Sequence, residues 1–158
     1  PTYFLRYPAE HRKFTPDCQR SDIQNCSEDE LMNTYDNSIL YTDYIISEVV
    51  KKLENQQDKF DPAMLYLSDH GESLGEKGMY LHGAPYSIAP IEQTSIPMLA
   101  WVSKDFSKDN QLDMDCLAEH AAKGGFSHDN LFDSLLGLMN IKTEVYQPEL
   151  DIFARCRG

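Results

Sequence analysis

LYLSDHGESLGEKGMYLHG, from Leu65 to Gly83, is the stretch that says most about how this chain folds. Its first residues complete an apolar run, Ala63–Leu67, which predicts a short buried strand. Asp69 and His70 follow just after the strand. In open α/β sheets, ligands bind outside the carboxyl ends of the strands, so an acid and a histidine at this place indicate a candidate metal site.

The loop after the strand supplies further candidate ligands. Neighbouring side chains on a strand point to opposite faces, so Asp69 and His70 can reach one ion only if the chain turns at Gly71. Ligands of one zinc ion lie about 3 to 4 Å apart, which is the separation expected for the Asp69 carboxylate and a ring nitrogen of His70. Glu72 lies in the same loop, and His82 comes twelve positions after His70. We expect the His82 ring about 5 to 8 Å from the pair, next to a reacting group or a second ion.

The residue types indicate which metal would bind. Histidine nitrogens with carboxylate oxygens favour zinc over calcium or magnesium, and manganese also fits. The alternative needs no metal: Asp69 caps a turn and the His82 ring bonds to a backbone carbonyl. The residues alone leave both interpretations open.

A long helix is predicted from residue 28 to residue 55. Ser27 and Glu30 form a capping box, in which each side chain satisfies a backbone amide of the first turn. Apolar residues then recur three or four positions apart until the run ends at Lys51-Lys52. The polar residues of this helix form either a second carboxylate cluster or, as we expect, a face with local hydrogen bonds: Asn33, Asp36, Asn37 and Asp43.

The other segments give a coarser outline. Ile96–Val102 is a second predicted buried strand, Leu112–Ala122 is a predicted helix, and Ser127 is expected to cap a helix that contains DNLFDSLLGL. Irregular structure is predicted for 1–16, 84–90, 103–109 and most of the tail from 143. Helices thus alternate with strands, which indicates a layered α/β fold.

Length and charge narrow the class of protein. The chain has 158 residues, 41% of them hydrophobic, which suits a single domain over 1–158. Its formal net charge of -12 argues against nucleic acid or an anionic membrane surface as the main partner. No apolar run reaches the roughly 18 to 20 residues of a membrane span, and no signal peptide opens the chain.

The four cysteines indicate an oxidising compartment. Cys18 and Cys26 lie eight positions apart with no histidine between them, so a small disulfide loop is favoured over a zinc clip or a redox pair. Cys116 and Cys156 remain as a second pair, and a bond between them would tie the tail to the domain.

Three motifs carry a resemblance to a known family. They are SDHGESLGExGxYLHG in the centre, PTYxxRYP at the start and DNLFxxLLGL near the end. Together they resemble the periplasmic domain of lipid A phosphoethanolamine transferases, which include the colistin (polymyxin) resistance enzymes and belong to the alkaline phosphatase and sulfatase superfamily. The resemblance implies a layered α/β/α fold with a central, mostly parallel sheet. It also implies that residues 1–158 are the C-terminal part of one catalytic domain, without the family's N-terminal transmembrane and catalytic segments.

The resemblance also implies a reaction. In the family, a zinc-bound threonine takes phosphoethanolamine from phosphatidylethanolamine and passes it to a phosphate of lipid A, at the periplasmic face of the inner membrane. Asp69 and His70 match the zinc ligands, whereas Glu72 and His82 match residues near the transferring group or a second metal, where His82 would be a further ligand. The threonine and a further glutamate ligand lie N-terminal to Pro1 in the family, so this chain alone is expected to be soluble and inactive.

Two other functions remain as alternatives: a sulfatase or phosphodiesterase of the same superfamily, or a non-catalytic binding module with a structural metal. Arg6, Arg12 and Lys13 are weaker candidates for phosphate contacts and are more simply solvated or paired. His120 and His128 are expected to be ordinary exposed histidines.

Overall fold

The computed structural model describes residues 3–158, so the first two residues of the PTYxxRYP motif lie outside the described part. In chain order the helices and strands are α1 (Glu28–Glu54), β1 (Ala63–Leu67), β2 (Ser73–Leu74), β3 (Tyr80–Leu81), α2 (Ile91–Thr94), β4 (Met98–Val102), α3 (Lys104–Asp109), α4 (Met114–Lys123) and α5 (Asp129–Leu138). Short 3-10 turns occupy Tyr3–Leu5, Ala9–His11, Ile23–Asn25, Glu76–Gly78 and Ala154–Cys156. Within the described residues, no helix combines the length and the apolar character that crossing a bilayer requires.

Helix α1 begins and ends as the sequence predicts. The Ser27 hydroxyl accepts a hydrogen bond from the Glu30 amide at 3.2 Å, and the Glu30 carboxylate accepts one from the Ser27 amide at 2.8 Å. This confirms the capping box. The side chain of Asn37 is fully buried and bonds to the backbone of Lys13 and Phe14, so at this position the polar face of α1 holds a segment more than twenty positions away instead of making the local hydrogen bonds that the sequence predicts.

The strands form two separate pairs. At the ends of the first pair, β1 with β4, the Ser68 amide donates to the Pro97 carbonyl and the Ser103 amide donates to the Pro62 carbonyl. The end of β1 therefore lies beside the start of β4, and the two strands run in opposite directions, so this pair does not contribute to a parallel sheet. The second pair is the antiparallel hairpin of β2 and β3, in which Ser73 faces Leu81.

Three local predictions are wrong. The polar segment 103–109 contains helix α3, because the Ser103 hydroxyl caps it by accepting from the Phe106 amide at 3.1 Å. Helix α5 has His128 rather than Ser127 at its N-cap, and the Ser127 hydroxyl accepts a hydrogen bond from the Asp129 amide two positions further on. The segment before residue 16 is not irregular throughout, since it forms two of the 3-10 turns.

Contacts group the chain into two units, so the single domain over 1–158 stays a prediction. The first unit consists of two segments, one ending at Asn55 and the other spanning Met64–Trp101. Its core contains the disulfide between Cys18 and Cys26, packed with Ile23 and Leu31 and touched by Leu81 of the hairpin.

The second unit comprises Gln56–Ala63 and Val102–Gly158. A disulfide joins Cys116 of α4 to Cys156 of the tail, so the tail is tied down as expected. The buried Asp151 carboxylate accepts from Arg157 at 3.0 Å and from the Tyr146 hydroxyl at 2.7 Å. Gly137 of α5 lies so close to this carboxylate that a Cβ atom there would overlap it.

Candidate metal centre

The chain turns at Gly71, just after β1, and this turn leads into the loop that contains the candidate metal site. The Gly71 amide donates to the Gln93 carbonyl at 3.0 Å, and a Cβ atom on Gly71 would collide with the Glu92 carbonyl oxygen. The φ angle of Gly71 is not in the positive, left-handed range. Glycine is therefore needed here for the close approach of two backbones and not for a left-handed conformation.

Three side chains of this loop come together as a candidate metal site. One ligand atom from each of His70, Glu72 and His82 can be chosen so that all three lie within 4.8 Å of one another. The His70 and His82 rings are stacked, with their centroids 3.7 Å apart. Glu72 is buried and only 8% exposed, whereas the two histidine side chains are each 39% exposed. The carboxylate therefore lies inside the protein, and the histidines lie at the solvent-accessible side of the site.

The hairpin of β2 and β3 brings His82 to this place. Ser73 pairs with Leu81, so the residues immediately outside the pair, Glu72 and His82, leave the hairpin at the same end. His82 is consequently nearer to His70 than the sequence predicts. The Glu72 Oε1 atom lies 3.2 Å from Nδ1 of His82.

Hydrogen bonds determine which ring nitrogens face a metal. Nδ1 of His70 lies 2.8 Å from the Gly71 carbonyl oxygen, which can only accept, so this nitrogen carries the proton. The Glu72 carboxylate also can only accept, so Nδ1 of His82 carries the proton of that ring as well. In both neutral rings the lone pair is then on Nε2, and histidine ligands held in this way by a carbonyl or a carboxylate are typical of zinc sites.

Tyr3 supports the site through Glu72, a role that no feature of the sequence indicated. Its buried hydroxyl donates to Oε2 of Glu72. Burial and then this hydrogen bond raise the pKa of Tyr3 above its ordinary value, so the hydroxyl remains a donor even at alkaline pH. Both Glu72 oxygens are therefore engaged, one by Tyr3 and the other by His82. The Arg6 guanidinium lies 4.1 Å from the Tyr3 ring centroid, which places a cation near the site.

Asp69 does not belong to the group of three. Its side chain is 88% exposed, and its Oδ2 atom lies 3.7 Å from Nε2 of His70, within the separation expected for two ligands of one ion. Its other oxygen accepts from the His70 amide at 3.1 Å, which is the turn-capping contact of the metal-free alternative. Asp69 is thus placed to approach an ion only from the exposed side.

The donor set of the group fits zinc. Zinc bonds of about 2.0 to 2.2 Å separate tetrahedral ligand atoms by about 3.3 to 3.6 Å, and one possible ligand atom from each residue lies within 4.8 Å of the others. For Glu72 to join both Nε2 atoms on one ion, its carboxylate would first have to release Nδ1 of His82. Two histidines and one glutamate leave a fourth position open, which is the pattern of catalytic rather than structural zinc sites. The residues present therefore match the metal that the sequence predicts.

The weaker candidates lie elsewhere or have other partners. Arg12 forms an ion pair with the buried Asp17. The Lys13 amide bonds to Asn37. His120 is half-buried, and its ring meets the Phe126 ring edge-to-face with the two centroids 4.9 Å apart. It is therefore not the surface histidine expected from the sequence. His128 is the N-cap residue of α5.

Comparison with known proteins gives consistent matches. A family model described as sulfatase matches residues 1–141. Phosphoethanolamine transferase EptA of Salmonella typhimurium is 52% identical over 99% of the chain, and phosphatidylethanolamine transferase Mcr-1 of Escherichia coli is 38% identical over 91%. The chain spans 29% and 25% of the lengths of these two relatives. The crystal structure of the soluble domain of lipooligosaccharide phosphoethanolamine transferase A from Neisseria meningitidis superposes with a TM-score of 0.95 at 50% identity, covering 100% of this chain and 47% of that one.

Proposed function

The chain belongs to the sulfatase family, and from this premise we propose that it is part of a zinc-dependent transferase that moves phosphoethanolamine from phosphatidylethanolamine to a phosphate of lipid A. The observation that carries the proposal is the group of His70, Glu72 and His82 at the end of β1. The names of the relatives, all transferases of this kind, support the reaction class.

The proposed reaction has two balanced steps. A threonine hydroxyl outside this chain attacks the phosphorus of phosphatidylethanolamine, the bond from phosphorus to the diacylglycerol oxygen breaks, and the released alcohol takes up a proton. A phosphate oxygen of lipid A then attacks the same phosphorus, the bond from phosphorus to the threonine Oγ breaks, and Oγ takes up a proton from the acceptor phosphate or from water, which restores the hydroxyl. Bound zinc would stabilise the alkoxide form of the threonine and neutralise charge on the phosphoryl oxygens.

The residues of this chain would hold and orient the reacting groups. His70 and His82 would each offer Nε2 to the ion, because their Nδ1 atoms are hydrogen-bonded, and the exposed Asp69 lies beside Nε2 of His70. Tyr3 fixes Glu72, and Glu72 in turn fixes the His82 ring next to the transferring phosphoryl group. Charge-assisted hydrogen bonds of this kind keep a carboxylate and an imidazole in one orientation.

We further propose that the protein works at the periplasmic face of the bacterial inner membrane. Both proposed substrates are membrane lipids, and the two disulfides suit an oxidising compartment. The proposed nucleophile lies outside this chain, so the 158 residues alone should transfer nothing.

The test uses the protein at the length its gene encodes, with lipid A and phosphatidylethanolamine that carries a radiolabel in its ethanolamine group, both in detergent micelles. We expect labelled lipid A to form, to disappear after treatment with EDTA and to return when zinc is added. The isolated 158-residue chain serves as the comparison and should give none. Transfer that is unaffected by metal removal, or transfer by the isolated chain, would refute the proposal.

A second candidate follows from the description of the family model itself. A sulfatase or phosphodiesterase of the same superfamily would use a similar metal site on a different substrate. An aryl sulfate and a soluble phosphodiester, offered to the same protein, separate the candidates. Hydrolysis of either one without transfer to lipid A would favour the alternative, and zinc binding with no turnover of any substrate would indicate a non-catalytic metal module.

A further inference from the structure

Gln93 in α2 holds both ends of the loop that carries the metal-site residues. Its backbone carbonyl accepts from the Gly71 amide at 3.0 Å. Its side-chain amide donates to the Ser73 hydroxyl at 3.0 Å, and its side-chain oxygen accepts from the Ala84 amide at 3.1 Å. Gln93 is 7% exposed and Ser73 is fully buried, so solvent does not compete strongly for these bonds.

The three contact points flank the candidate ligands. Gly71 and Ser73 are the neighbours of Glu72, and Ala84 follows His82 by two positions. The Gln93 side chain thus links the strand that follows Glu72 to the segment that follows His82. The hairpin between them has only two residues in each strand, and so short a pair is not stable without support.

Burial makes the clamp sensitive to substitution. A buried donor or acceptor that loses its partner bears the full cost of its desolvation, so the Ser73 hydroxyl and the Ala84 amide would each seek another partner or water. The Gly71 backbone cannot compensate by moving inward, because it already touches the Glu92 carbonyl. The loop would therefore open outward and separate the Glu72 and His82 side chains from His70.

We propose that Gln93 is a positioning residue, which sets the spacing of Glu72 and His82 for zinc binding by closing the loop from Gly71 to Ala84. This inference rests on the function proposed above. The hydrogen bonds of Gln93 go to Gly71, Ser73 and Ala84 and not to the candidate ligands, so its loss should lower zinc affinity and kcat and leave KM for the lipid donor nearly unchanged.

The experiment compares four variants in the protein at its encoded length. Gln93→Met keeps the length of the side chain and removes both of its hydrogen bonds, whereas Ser73→Ala removes one bond and leaves the Ala84 contact. Gln24→Met is the matched control, because it makes the same chemical change at an exposed position in the same unit. The fourth variant combines Gln93→Met with Ser73→Ala.

Three experiments are done on each variant: competition with a chromogenic chelator for the zinc dissociation constant, hydrogen exchange over 71–84, and transfer kinetics for kcat and KM. Substitution of groups that support metal ligands typically weakens metal binding by about 10- to 100-fold, and we expect about 10-fold for Gln93→Met. Exchange over 71–84 should accelerate in this variant, and the double variant should lose no more affinity than Gln93→Met. Gln24→Met should match the wild type.

Each outcome either supports or overturns the inference. If Gln93→Met fails to fold, Ser73→Ala decides alone through its zinc affinity and exchange. An affinity loss below about threefold, or unaltered exchange over 71–84, overturns the role of Gln93. Additive losses in the double variant also overturn it, because they show that Gln93 does not act through Ser73. A wild type that neither binds zinc nor transfers would instead refute the proposed function, whereas a working wild type beside an unchanged Gln93→Met refutes only this inference.

Discussion

Removal of the Tyr3 hydroxyl should lower both the stability of the first unit and the zinc affinity of the candidate site, whereas removal of a second buried hydroxyl should lower the stability alone. Tyr3→Phe deletes the donor to Oε2 of Glu72 and keeps the ring in place. Tyr7→Phe is the matched control, because Tyr7 is an equally buried tyrosine whose hydroxyl donates to another buried carboxylate, that of Asp17, at 2.9 Å. The two substitutions therefore make the same chemical change at two similar sites, of which one contacts Glu72.

The expected magnitudes follow from the two hydrogen bonds. A hydrogen bond to a charged group contributes about 1.5 to 3 kcal/mol, so both variants should lower the free energy of unfolding by an amount in this range. Only Tyr3→Phe leaves Glu72 free to rotate away from the His82 ring. Loss of such a supporting contact weakens metal binding by about 10- to 100-fold, whereas Tyr7→Phe should leave zinc affinity unchanged.

Urea unfolding gives the first quantity, and zinc competition with a chelator gives the second. The reasoning is refuted if both variants bind zinc equally well. It is also refuted if Tyr3→Phe leaves the unfolding midpoint at the wild-type value, since the hydroxyl would then not be bonded to a buried carboxylate.

Further outcomes follow from the glycines, the disulfides and the buried tyrosines. Gly71→Ala should destabilise by more than about 2 kcal/mol because its Cβ would overlap backbone, whereas Gly78→Ala, at φ 73° with open space around it, should lose only about 1 kcal/mol; urea midpoints compare the two. Loss of the bond Cys116–Cys156, which spans 40 positions, should destabilise by about 4 kcal/mol, against about 2.5 kcal/mol for the 8 positions of Cys18–Cys26, as double Cys→Ser variants will show. The pKa of Tyr3 is raised by burial and by Glu72, so the folded state keeps its proton while the unfolded state loses it; the free energy of unfolding should fall as pH rises above about 10, and less steeply in Tyr3→Phe.

Local signals made much of the fold predictable. The capping box at Ser27 fixes the start of α1 through contacts only three residues apart, and the apolar run before Asp69 marks β1 by composition alone. The same reasoning failed for α3, because a short helix in a polar segment has no apolar periodicity, and its one signal is the serine that caps it.

The candidate site was predictable in its residues but not in its arrangement. His70, Glu72 and His82 stand out by type and by the motif they share, yet their spacing depends on a hairpin of two-residue strands that has no pattern of its own. The supporting residues were less accessible still. Tyr3 meets Glu72 across 69 positions and Gln93 meets Ser73 across 20, and no local rule relates residues so far apart. Only knowledge of which residues contact each other would have identified the buried polar residues that support the site.

Gly137 has a consequence for anyone who wishes to make this protein more heat-resistant. Replacing a helix glycine by alanine ordinarily raises stability by about 0.4 to 1 kcal/mol, because it reduces the freedom of the unfolded chain. A routine thermostabilisation screen would therefore select Gly137 in the last turn of α5. Here the added methyl group would force the Asp151 carboxylate away from Arg157 and leave a buried charge without its partner. The substitution should lower the melting temperature, and engineering of this helix is better directed at its exposed face.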